Sequence, residues 1–187
     1  MAFWKKLFNK ETYHPLAAEL LEEYNRNRPM GAQPVLCHAP FKSMYFAQQG
    51  KVHTCCYNRT FELGRYPQQS IHDIWFGKEA DKLREYIRHN DLSLGCLGCK
   101  QQIVAGNFSG VKTLQYDERT ANTNHYPSVM EFELSNTCNL ECVMCSGEFS
   151  SLIRTKREGL PALPDVYNDA FVEQLNAFIP FLDEVKF

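Results

Sequence analysis

Cys138, Cys142 and Cys145 stand in one short segment, Cys138-Asn139-Leu140-Glu141-Cys142-Val143-Met144-Cys145, at spacings of four and three. Whether the segment coils or runs irregularly, those separations let three sulfurs converge on one centre. Soft thiolate donors suit iron in a sulfide cage. Three protein ligands on a four-iron cluster leave one iron open to an outside ligand, as catalysis at a cluster requires. A second set lies upstream: Cys37, then twelve residues, Gly50, four residues and Cys55, followed later by Cys96-Leu97-Gly98-Cys99. Four thiolates there would make a closed site. The eighth cysteine, Cys56, is spare, or replaces Cys55 if the register shifts by one.

The opening Met1-Ala2-Phe3-Trp4-Lys5-Lys6-Leu7-Phe8 carries basic residues but no apolar stretch of about 7–15 residues and no small-residue cleavage site. The expectation is a cytoplasmic chain, in which clustered thiols bind metal or do redox chemistry rather than form disulfides. Zinc stays open as a reading. Cys96 and Cys99 with Cys142 and Cys145 make a four-thiolate set, although the 42 residues between the pairs exceed the ribbon spacing of about 15–20 and leave Cys138 without a role. Cys37, Cys55, Cys96 and Cys99 alone would equally make a zinc knuckle, because spacing does not separate zinc from iron–sulfur. A thioredoxin-like dithiol is weaker, since no redox helix opens at Cys142. His38, His53 and His72 lie near the upstream set, but four cysteines already suffice. The basic residues around 154–157 read as a solvated helix face.

The elements that must position these thiols follow from composition and periodicity. The chain has 187 residues, with 44% hydrophobic and 13% aromatic content, which builds a sizeable core and excludes global disorder. A net charge of −2 gives no basic surface for nucleic acid. No run of about 18 apolar residues is present to span a membrane. Residues 1–30 read as a helical lead-in, with Leu16, Ala17, Leu20, Leu21 and Tyr24 at helical spacing. Residues 31–102 read as a small α+β, cysteine-rich unit: a strand at Ser43–Phe46, a turn at Gln49-Gly50, a strand over Lys51–Tyr57, and a helix over Ser70–His89 broken at Gly77. Residues 103–127, rich in Asn, Thr, Ser and Gly, read as a connector. In residues 128–187, a strand with Met130, Phe132 and Leu134 on one face precedes the three-cysteine loop. Helices over about Glu148–Arg157 and Val166–Phe178 follow, then a strand from Glu184. Strand, helix, strand implies a parallel βαβ unit.

CxxxCxxC directly after a strand, in Glu131-Phe132-Glu133-Leu134-Ser135-Asn136-Thr137-Cys138-Asn139-Leu140, resembles the signature of the radical S-adenosylmethionine (SAM) enzymes. That resemblance implies an α/β fold: the beginning of a partial (β/α)6 TIM-like barrel, preceded here by the small cysteine-rich unit. It implies Cys138, Cys142 and Cys145 as ligands of a [4Fe-4S] cluster whose fourth iron SAM chelates. One-electron cleavage of SAM then gives methionine and a 5′-deoxyadenosyl radical that abstracts hydrogen from substrate. Met144 holds the place of the residue near the adenine. Cys37, Gly50, Cys55, Cys96 and Cys99 resemble the SPASM/twitch domain, which implies one auxiliary [4Fe-4S] cluster on the four cysteines. Such domains usually follow the barrel, whereas this one precedes it. The further cysteines of a two-cluster SPASM form are also missing.

The family's Gly-Gly-Glu-type segment after the second strand has no counterpart among the ten glycines, no two of which are adjacent. The resemblance therefore implies a fragment that is inactive alone. As partners it implies a peptide or protein substrate and an electron donor such as flavodoxin or ferredoxin, with no nucleic acid and no membrane. A non-catalytic zinc-binding module and an iron–sulfur electron-transfer module are the competing readings.

Overall fold

A computed structural model describes residues 12–118 and 125–187. It is a mixed α/β structure with one five-stranded sheet. The lead-in gives helix α1 (Ala18–Arg26), whose Tyr24 is buried; the part of the expected lead-in over residues 1–11 lies outside the described residues. Helix α2 (Ala39–Lys42) starts with Pro40 in its first turn, where a missing N–H costs nothing. It runs directly into strand β1 (Ser43–Phe46), all four of whose residues are buried.

A tight turn over Gln48–Gly50 returns the chain into strand β2 (Lys51–His53). Gly50 is required in this turn. Its φ is +75°, and a Cβ there would lie 1.8 Å from the Tyr66 carbonyl oxygen. β2 ends at His53, short of the expected Tyr57, because the backbone turns at Cys55, whose carbonyl accepts from the Asn58 N–H at 3.2 Å. Strand β3 (Gly64–Arg65) completes the antiparallel part of the sheet.

The expected helix with a break at Gly77 is two helices, α3 (Ile71–Trp75) and α4 (Lys78–Arg88). Ser70 caps α3 by accepting from the Asp73 N–H at 3.0 Å. Ile71, Ile74, Trp75, Ala80, Leu83 and Ile87 form the buried face. Helix α5 (Leu97–Val104) begins inside the Cys96–Cys99 pair.

Strand β4 (Val129–Phe132) pairs in parallel with β1, Ser43 opposite Val129 and Phe46 opposite Phe132. Helix α6 (Asp169–Leu175) is shorter than the expected 166–178. Asn168 caps it, accepting from the Phe171 N–H at 3.2 Å, and a 3-10 turn containing Pro180 follows it. Strand β5 (Glu184–Lys186) then pairs in parallel with β4, so the βαβ unit forms as expected. The sheet order is β3-β2-β1-β4-β5. An aromatic cluster beneath α6 fixes the helix: Phe171 meets Phe46 at 5.2 Å, Tyr66 at 5.2 Å and Tyr167 at 4.6 Å between ring centres. The segment Glu148–Arg157, expected as an α-helix, closes instead with a wide π-type turn over Ile153–Arg157. No described helix is long and apolar enough to cross a membrane.

Candidate metal centre

Cys37, Cys55, Cys96 and Cys99 line one cavity. Cys37 enters from the segment before α2, Cys55 from the turn after β2, and Cys96 and Cys99 from the start of α5. Ala39, Pro40, Leu92 and Tyr116 supply much of the wall, and no histidine or carboxylate lines it. Burial pushes all four thiols up, Cys55 to about 12; at Cys37 the next causes are Cys96 and Cys55. Four thiolates behind apolar walls repel one another, so the charged form of this set calls for a bound cation, which displaces the protons as it binds.

N–H donors are aimed at each sulfur. The Ala39 N–H donates to Cys37 Sγ at 3.4 Å, and Asn58 Nδ2 donates to Cys96 Sγ at 3.3 Å. The backbone N–H groups of Tyr57 and Asn58 lie toward Cys55, and those of Lys112 and Thr113 toward Cys99, where each favours the thiolate. Hydrogen bonds of this kind to sulfur are a principal means of tuning an iron–sulfur centre. Donor type and donor surroundings therefore fit a thiolate-ligated group.

Cys56 does not line the cavity. It lies beside the Glu131 carboxylate on β4, and burial, followed by that carboxylate, raises its thiol to about 11. Of the two adjacent cysteines, Cys55 lines the cavity and Cys56 does not. The three histidines are engaged elsewhere. His53 Nδ1 lies 3.0 Å from the Phe61 carbonyl, His38 Nε2 lies 3.1 Å from Gln33 Oε1, and exposed His72 sits beside Asp73.

Asn58, Lys112, Thr113 and Tyr116 are site residues that spacing did not reveal. Asn58 is buried and joins the Cys55 turn to the Cys96 pair, donating to the Leu94 carbonyl at 3.1 Å as well as to Cys96. Lys112–Tyr116 is a 3-10 turn within the expected connector. It is held by buried Arg28, which pairs with Asp117 at 2.5 and 2.8 Å, and by Tyr24, whose hydroxyl bonds to Thr113 Oγ1. The buried Val111 and the Tyr116 ring were the available apolar signal, masked by polar neighbours.

The second cysteine set lies on the loop after β4. Cys142 is exposed, and Cys138 and Cys145 are partly exposed. The start of the loop is clamped. The Cys138 N–H donates to Ser151 Oγ at 3.1 Å, and the Cys138 carbonyl accepts from the Leu152 N–H at 3.2 Å. Ser150 Oγ donates to the Leu140 carbonyl at 2.8 Å, and Asn136 Nδ2 donates to the Gly147 carbonyl at 2.9 Å. Gly147 sits where a Cβ would lie 2.7 Å from Arg154 Cα, so the loop closes directly on the π-type turn. At the far end Arg157 donates to the Cys145 carbonyl at 2.6 Å. Val143 and Met144 are 97% and 96% exposed, leaving the middle of the loop open to a ligand. Among the described residues, no three His, Cys, Asp or Glu side chains are grouped to hold a single ion.

Residues 37–100 match the SPASM family, described as an iron-sulfur cluster-binding domain. The match contains all four cavity cysteines and ends before Lys112, Tyr116 and the three-cysteine loop. No curated protein and no solved structure gives a significant match to the chain.

Proposed function

We propose that the SPASM segment holds one auxiliary [4Fe-4S] cluster through Cys37, Cys55, Cys96 and Cys99, and that the chain is part of a radical SAM enzyme acting on a peptide or protein. The observation that carries this reading is the convergence of the four thiols of the matched segment on one cavity, each with an N–H donor. Zinc would draw its sulfurs to about 2.3 Å from a single point. The family description of the matched segment favours an iron–sulfur cluster over zinc on these four thiols.

On this reading Cys138, Cys142 and Cys145 hold the second cluster, and Met144 lies against the adenine of SAM. With SAM bound there, that cluster would supply the one-electron chemistry that generates a 5′-deoxyadenosyl radical. The chain's own contribution is to fix the loop through Ser150, Ser151, Asn136 and Arg157, and to leave its open face to the cofactor. The parallel β4–α6–β5 unit behind the loop is the arrangement with which a (β/α)6 barrel begins. Electrons would come from a small carrier of the flavodoxin or ferredoxin class.

Anaerobic reconstitution followed by iron, sulfide and zinc analysis and electron paramagnetic resonance tests the reading. The expected result is about eight iron and eight sulfide per chain, two four-iron clusters, with one reduced signal altered by SAM. Zinc without labile sulfide overturns it. Two clusters indifferent to SAM favour an electron-transfer module instead.

A further inference from the structure

Thr54 Oγ1 and Tyr116 Oη are buried polar atoms without a hydrogen-bond partner, and both residues line the four-cysteine cavity. Their residues are 1% and 2% exposed, so solvent does not satisfy them. A buried hydroxyl left unpaired is costly, and folded proteins seldom retain one without a use.

Placement gives the use. Thr54 immediately precedes Cys55 at the end of β2. Tyr116 ends the 3-10 turn whose Lys112 and Thr113 amides serve Cys99, and its carbonyl is anchored by buried Lys42 Nζ at 3.0 Å. The Ser43 hydroxyl neighbours the Tyr116 phenol and is the side-chain oxygen it would otherwise pair with. A neutral phenol meets sulfur as an O–H donor.

We propose that the Tyr116 and Thr54 hydroxyls donate O–H···S hydrogen bonds to sulfurs of the cluster in this cavity and thereby raise its reduction potential. This rests on the cluster reading above. Reduction adds negative charge to the cluster, so a donor at its sulfurs stabilises the reduced form more than the oxidised one. The two residues are positioning and tuning groups, not ligands. One of them lies outside the matched segment.

The test uses the full chain carrying Cys138→Ala, so that only the four-cysteine cavity takes up a complete cluster. Tyr116→Phe, Thr54→Val, Thr54→Ser and the Phe/Val double variant are reconstituted beside this parent. Iron and sulfide are measured in each, and the midpoint is read by a paramagnetic-resonance redox titration. Tyr116→Phe and Thr54→Val are each expected to move the midpoint downward by on the order of tenfold in the reduction equilibrium, 59 mV for one electron. The double variant moves further, and Thr54→Ser, which keeps the donor, stays at the parent value. A full four-iron complement with an unmoved midpoint in both single variants overturns the hydrogen bonds and leaves the cluster reading standing. Zinc, or iron without sulfide, in the parent overturns the cluster reading itself.

Discussion

Arg59 and Glu133 form an ion pair at 2.6 Å that joins the two cysteine sites. Arg59 follows the Cys55 turn, and Glu133 follows β4 at the base of the three-cysteine loop. Tyr45 and Gln48, on and after β1, bond to the same carboxylate. The guanidinium also lies 5.0 Å from the Phe149 ring centre, on the far side of the loop. One cation thus touches both flanks of the three-cysteine loop from the SPASM side.

That contact predicts a measurable coupling. Because the two side chains are 30% and 32% exposed, solvent screening holds the pair to about 0.5–1 kcal/mol. A double-mutant cycle of Arg59→Gln and Glu133→Gln in thermal unfolding should return that interaction, and amide exchange over 138–147 should quicken in both single variants. Strict additivity, with unchanged exchange, would show that the pair does not position the loop.

The cysteines should separate into two stoichiometric groups. Serine at Cys37, Cys55, Cys96 or Cys99 is expected to lower iron by about half, to about four per chain. Serine at Cys138, Cys142 or Cys145 should remove the other half, and Cys56→Ser should leave the content intact. A loss at Cys56 equal to that at Cys55 would contradict the placement of Cys56 against Glu131.

Asn58→Ala removes donors to the Leu94 carbonyl and the Cys96 sulfur inside the fold. A cost of about 1–3 kcal/mol is expected in denaturant unfolding of the metal-free chain. The reconstituted variant should also lose its auxiliary cluster faster to a chelator. Wild-type unfolding and release rates together would remove Asn58 from the site.

Arg28 and Asp117 are a buried bidentate pair, with side chains 0% and 1% exposed. Breaking it with Arg28→Met leaves an uncompensated carboxylate and should cost about 3–5 kcal/mol. Adding Asp117→Leu should restore most of that loss. Equal stability of the single and double variants would refute a buried-charge penalty.

Asp91 supplies a pH dependence. Burial raises its carboxyl, but the His14 N–H at 2.6 Å and the Ser93 N–H at 2.8 Å outweigh burial and hold it below the ordinary value. The unfolded chain therefore binds the proton more readily. The stabilisation is present above about pH 4 and is lost as pH falls below it. Asp91→Asn should lower the melting temperature at neutral pH and converge on the parent near about pH 2. A constant gap across that window would rule out the titration.

Local chemistry made much of the frame legible. Gly50 marked the hairpin because only glycine tolerates that φ against Tyr66, and Gly77 marked the break between α3 and α4; period located β4, but the strand ends at Phe132 rather than Ser135 with Val129 buried beside Met130, and α6 ends at Leu175, ahead of Pro180. Tyr116 and Thr113 were not legible, because a polar stretch gives no periodicity and their burial depends on Arg28–Asp117 and Tyr24 contacts from far along the chain. Asn58 likewise reads as a turn residue until the Cys96 pair folds onto it. The parallel pairing of β1 with β4 joins the expected cysteine-rich unit to the strand beyond the connector, a non-local contact that neither segment encodes alone.

That pairing has a consequence for dissection. β1 is flanked on one side by β2 and on the other by β4, and all its residues are buried. A recombinant piece cut at the connector would bare one long side of β1, offering its unpaired amides and carbonyls to any passing chain as a template for aggregation. The segment that matches the SPASM family is therefore not a detachable bead. It borrows its outer strand contact from the part of the chain that carries the other three cysteines.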